Sequence, residues 1–95
     1  MKTRLTEMLG IKYPIICGGM MRLAYPDLCA AISNAGGLGN LTSAMFQTRE
    51  DYQAAIQETK RLTDKPFIVN VTLLPSIGVP EELYKDYFEV IAEEK

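Results

Sequence analysis

Apolar and polar positions change their period several times along this chain. Leu5 to Leu9 make a short amphipathic start, closed by Gly10, a residue suited to a helix C-cap. Pro14 to Cys17 is an uninterrupted apolar run, which predicts a strand covered on both faces, as in a parallel sheet. The run stops at Gly18-Gly19. From Pro26 the spacing becomes helical. Pro26 suits the first helical position, Asp27 complements the helix dipole, and Leu28, Ala31, Ile32 and Ala35 form an apolar face. Gly36-Gly37 stops this helix. A second strand is predicted over Leu38 to Leu41, with Thr42 and Ser43 just past its carboxyl end.

The pattern then repeats. Thr48 to Asp51 matches a capping box, and Tyr52, Ala55, Ile56 and Leu62 supply the inner face of a second helix. Asp64-Lys65-Pro66 ends it. A third strand, Phe67 to Val71, is apolar except for Asn70. A loop from Thr72 to Val79 leads to Pro80, which opens a third helix with Glu81 and Glu82 in its first turn. Leu83, Tyr84, Tyr87, Phe88 and Ile91 continue its apolar face. Three strand–helix units at roughly 25 residues each come near the spacing expected if about 250 residues make eight units. The expectation is an α/β chain, residues 1–95 forming the N-terminal portion, about three βα units, of a TIM (β/α)8 barrel, apparently truncated. Such a piece has two open sheet edges. It is expected to associate with itself or with a complementing C-terminal segment, and to be inactive alone.

Composition narrows the chemistry. Hydrophobic residues make up 47% of the 95, enough to build a core. The net charge is −2, from 10 Lys+Arg against 12 Asp+Glu, which is not the basic footprint of a nucleic-acid binder. No stretch approaches the roughly 18 apolar residues of a membrane span, and the start has no signal-peptide run. Two cysteines, Cys17 and Cys29, are too few for a disulfide framework and read as reduced thiols of a cytoplasmic protein. There is no histidine, so the usual general base near neutral pH and the usual nitrogen ligand for metals are both missing. Any catalysis needs a cofactor, or a base supplied from elsewhere. No metal site is expected.

The candidate site residues cluster at predicted strand ends, where parallel α/β proteins place ligands. Gly18-Gly19-Met20-Met21 can bring backbone N–H groups to a flat or anionic ligand, or can simply turn the chain. The methionine sulfurs can flank an aromatic ring or fill the core. Asn70 offers donors and an acceptor inside an apolar strand, suiting either the edge of a heterocycle or a structural hydrogen bond. Gly36-Gly37-Leu38-Gly39 follows a helix and precedes a strand, the reverse of a dinucleotide fingerprint, and reads as a helix stop and close-packing element. Cys17 has no basic sequence neighbour and reads as a small buried hydrophobe. Tyr84 and Tyr87 read as packing, and the glutamates of the last two helices as a solvated face.

Taken in order, Thr3-Arg-Leu-Thr-Glu7, Tyr13-Pro-Ile-Ile-Cys-Gly-Gly-Met20, Ala30-Ala-Ile-Ser-Asn-Ala-Gly-Gly-Leu-Gly39 and Asp64-Lys-Pro-Phe-Ile-Val-Asn-Val-Thr72 resemble the nitronate monooxygenase family, formerly called 2-nitropropane dioxygenases. The FMN-dependent enoyl-acyl-carrier-protein reductases are similar over the same region. The resemblance implies a TIM barrel holding FMN without a covalent link, with Gly19, Met20, Met21 and Asn70 against the flavin. It implies a small-molecule substrate with dioxygen or NAD(P)H as the second reactant, and a phosphate site and catalytic histidine outside these residues. Two places depart from the pattern. Cys17 stands where many relatives carry glutamine, and Asn40-Leu-Thr-Ser43 replaces a more glycine-rich strand end. Two other readings share some features: a non-catalytic barrel fragment, and a nucleotide barrel of the IMP dehydrogenase type.

Overall fold

A computed structural model describes residues 1–20, 23–71 and 81–94. Helix α1 (Arg4–Leu9) starts with a reciprocal cap: Thr6 N–H donates to Thr3 Oγ1 at 3.1 Å, and Thr3 N–H donates to Thr6 Oγ1 at 2.9 Å. It ends at Gly10 in the left-handed conformation, φ 67°, as its position predicts.

Strands β1 (Gly39–Thr42) and β2 (Phe67–Asn70) pair in parallel, with Gly39 opposite Phe67 and Thr42 opposite Asn70. The predicted first strand is reduced to a single parallel bridge between Ile16 and Leu38. Cys17 N–H donates to the Leu38 carbonyl at 3.0 Å, and Leu38 N–H to the Ile15 carbonyl at 2.9 Å. Nor is the run covered on both faces: Ile15 is 62% exposed and Ile16 46%. Among the described residues, β1 is the strand that flanks it, so pairing on one side holds it without enclosing it. The second predicted strand is shifted by one residue, so that Thr42 lies within β1; the third ends at Asn70 rather than Val71. The Thr72–Val79 loop and Pro80 lie outside the described residues.

Helix α2 (Pro26–Asn34) has Pro26 in its first turn, as expected, but buries a different face. Cys29, Ala30 and Ser33 are inside, whereas Ala31 and Ala35 are exposed and Leu28 and Ile32 half-buried. The cause is close approach of helix to strand. A Cβ on Gly39 would lie 2.1 Å from the Cys29 carbonyl oxygen, so only small residues fit at this contact. Ser33 ties the layers together: its Oγ donates to the Pro66 carbonyl at 2.7 Å and accepts the Gly39 N–H at 3.0 Å. Gly36, at φ 105°, ends the helical stretch, and its carbonyl accepts from Lys12 and Tyr13 N–H at 2.9 Å each. The Gly-Gly-Leu-Gly element therefore stops a helix and permits close packing.

Helix α3 (Arg49–Leu62) is capped by Thr48, whose Oγ1 accepts the Asp51 N–H at 3.1 Å. It buries Tyr52, Ala55, Ile56 and Thr59; Leu62, expected inside, is exposed at the helix end. Helix α4 (Glu81–Glu93) buries Leu83, Tyr87 and Val90, a strict helical face. Phe88 lies about 100° round the axis from Tyr87 and is 54% exposed, not inward as predicted. These helices and Leu41 of β1 enclose the core. Tyr52 and Tyr87 meet edge to face at 5.0 Å, and Tyr87 Oη donates to the Phe46 carbonyl at 2.6 Å. Arg49 pairs with Glu89 at 2.7 Å and Glu93 at 2.5 Å. No described helix is long and apolar enough to cross a membrane.

Candidate flavin site at the carboxyl strand ends

The register of β1 against β2 puts Thr42 beside Asn70 at the carboxyl end of the sheet. Gly19, just past the Ile15–Cys17 segment, closes on the same point. A Cβ on Gly19 would lie 3.1 Å from Asn70 Oδ1 and 3.4 Å from Thr42 Oγ1, so a side chain here would touch Thr42 and make the Asn70 carboxamide give by a few tenths of an ångström. Gly18 carries no such constraint, with nothing within 4 Å of its own Cβ position. Sequence reasoning named Gly19 and Asn70, and the fold brings them together. Met20 is exposed beside them, its carbonyl accepting the Leu23 N–H at 2.8 Å. Met21 lies outside the described residues.

Three further residues of this region escaped the sequence reading as site residues. Asn40 and Thr42, on one face of β1, and Ser43, which opens a short 3-10 turn, are all buried; Thr42 is 2% exposed and Ser43 0%. Asn40 Nδ2 donates to the Cys17 carbonyl at 3.2 Å. Among the described residues, Asn40 Oδ1, Thr42 Oγ1 and Ser43 Oγ have no hydrogen-bond partner. Buried polar atoms are normally paired, and leaving one unpaired costs about 1–3 kcal/mol. The legible signal was polarity at the end of an apolar strand; burial without a partner becomes visible only in three dimensions.

The arrangement fits a flat ring with polar edges. The backbone at Gly19 leaves room for close approach, and the Asn70 carboxamide and Thr42 hydroxyl each combine donor and acceptor. None of the three is a base near neutral pH. The neighbouring thiols do not change this. Cys17 is half-buried rather than enclosed, because its segment is paired on one side; its Sγ donates to the Gly18 carbonyl at 3.3 Å. Cys29 is buried, and burial, followed by the nearby Cys17, pushes its thiol up to about 12. Both are free thiols. Among the described residues, no three His, Cys, Asp or Glu side chains are grouped to hold a metal. A cavity of about 240 Å³, with Lys12 and Lys65 in its wall, lies at the opposite, amino ends of the strands.

The family model described as nitronate monooxygenase matches residues 2–95. A (3aS,4S,5R,7aS)-5-hydroxy-7a-methyl-1-oxo-octahydro-1H-indene-4-carboxyl-CoA dehydrogenase of Rhodococcus jostii is 48% identical over 71 residues, 75% of this chain and 20% of that protein. A nitronate monooxygenase of Pseudomonas aeruginosa is 46% identical over 71 residues, again 75% of this chain and 20% of that protein. The solved structure of FabK from Thermotoga maritima superposes with a TM-score of 0.84 at 38% identity, covering 99% of this chain and 28% of that one. The fold is the α/β arrangement of a partial TIM barrel. The chain thus spans about a fifth of the length of these curated relatives, and it belongs to the nitronate monooxygenase family of oxidoreductases.

Proposed function

We propose that residues 1–95 contribute the opening units of an FMN-binding barrel that oxidises alkyl nitronates with dioxygen. The observation that carries this reading is the convergence of Gly19, Thr42 and Asn70 at the carboxyl ends of parallel strands, where TIM-barrel enzymes hold their ligands. When bound, FMN supplies the electron transfer between substrate and oxygen. Gly19 admits the ring to the backbone, Met20 and Met21 border it, and Asn70 fixes its polar edge. The 95 residues contain no histidine, so the base that acts on substrate comes from the remaining barrel units.

A second reading is reduction of an enoyl thioester with NAD(P)H. The likeness of nearly all of this chain to just over a quarter of FabK favours it, as does the CoA thioester in the name of the Rhodococcus jostii relative. The test uses this segment joined to, or mixed with, the remaining barrel units. Oxygen uptake with a nitronate is the expected result. NAD(P)H consumption with an enoyl thioester, without nitronate turnover, would replace the first reading by the second.

A further inference from the structure

Resting on the flavin-pocket reading, we infer that the Thr42 hydroxyl is a hydrogen-bonding contact to the polar edge of the flavin ring, and that Thr42 is held buried and unpaired for that purpose. Thr42 shares its face of β1 with Asn40, whereas Leu41 between them points into the helix-side core. Its register partner is Asn70, one strand spacing away, about 4.8 Å. Its Oγ1 is enclosed without a partner among the described residues and lies 3.4 Å from the position a Gly19 Cβ would take. A valine of nearly the same shape would fill this place with no unpaired hydroxyl. The chain instead keeps a polar atom at the point where Gly19 leaves space and Asn70 offers its amide.

The turn that includes Gly19 approaches the hydroxyl, and glycine leaves vacant the Cβ position 3.4 Å from it. Gly18 in that turn meets open space on its Cβ side among the described residues. A ring edge laid over the bare backbone of Gly19 would give this hydroxyl the hydrogen-bond partner it lacks. Thr42 is therefore a binding and positioning residue; its hydroxyl is not a base.

The test compares the chain, joined to or mixed with the remaining barrel units, with its Thr42→Val and Thr42→Ser variants, using FMN as the probe. Affinity is read from amide shifts by NMR, and thermal stability is read without flavin. Thr42→Val should weaken FMN binding about five- to tenfold and raise the flavin-free Tm by about 4 °C, as an unpaired hydroxyl is removed. Thr42→Ser should bind like the parent. If Thr42→Val binds equally well while Asn70→Ala binds weakly, the Thr42 contact is wrong and the flavin pocket stands. If the parent shows no FMN-dependent shifts at Gly19 or Asn70, both readings fall. Unfolding of Thr42→Val would also overturn the inference, because it would show that the hydroxyl supports the fold.

Discussion

At the residue scale, two adjacent glycines carry different burdens. Gly18 has nothing near its Cβ position; a Cβ on Gly19 meets Asn70 and Thr42 within 3.4 Å. Gly18→Ala should therefore leave flavin affinity and stability unchanged. Gly19→Ala should lower affinity about tenfold while costing under about 1 kcal/mol of stability, because the side chains it pushes lie at the open end of the sheet. Parallel flavin titrations and thermal melts of the two variants check this; equal effects would remove the special role of Gly19. Asn70 stood out in the sequence because it interrupts an apolar strand, whereas the patterning marked Gly18-Gly19 only as a turn or a ligand approach, and it was the family resemblance that singled out Gly19. Thr42 did not stand out, since a threonine in or near a strand is ordinary, and its unpaired state depends on residues 20 to 30 positions away.

At the element scale, helix limits were easier to read than helix faces. Thr48, Pro26, Gly10 and Gly36 mark ends by local chemistry, and all are found there. The buried face of α2 was misread because hydrophobic size was the guide, whereas backbone approach selects Cys29, Ala30 and Ser33. Gly39→Ala tests that explanation directly. Its Cβ would sit 2.1 Å from a main-chain oxygen that cannot rotate away, so a loss of about 3 kcal/mol or more is expected by denaturant unfolding. A loss under about 1 kcal/mol would contradict it. The α3–α4 contact ends in a polar clamp. Glu94 accepts from Gln53 at 3.1 Å and Gln57 at 3.0 Å and faces Lys60 at 3.6 Å. The Gln53 and Gln57 hydrogen bonds, followed by the Lys60 charge, hold the Glu94 carboxyl below its ordinary 4.5. A folded-state value below the unfolded one adds stability above pH 4.5, lost as pH falls through the folded value. Acid titration should therefore loosen the α3–α4 clamp below pH 4.5, and Glu94→Gln should flatten that part of the curve. An unchanged acid limb in the variant would show that the clamp contributes nothing.

At the scale of the whole molecule, the helix side of the sheet is closed and the strand edges are not. Tyr52, Tyr87 and Val90 are fully enclosed, but Ile15 and Ile16 remain exposed beside an edge segment held by one bridge. Exposed apolar edges recruit further strands. The isolated chain is expected to self-associate, with the midpoint of its concentration dependence rising on Ile15→Lys; sedimentation at several concentrations would show it, and a monodisperse monomer throughout would contradict it. The α/β alternation was legible because each unit announces itself with its own period and stop signals. The weakness of the first strand was not, since an apolar run records what a strand can bury rather than what surrounds it. The central claim is that flavin is held at the carboxyl ends of β1 and β2. Amide-resolved NMR of the chain, joined to or mixed with the remaining barrel units and titrated with FMN, tests this most directly. The account predicts shift changes centred on Gly19, Thr42 and Asn70; changes centred on Gly10, Lys12 and Lys65 at the amino ends, or none at all, would contradict it.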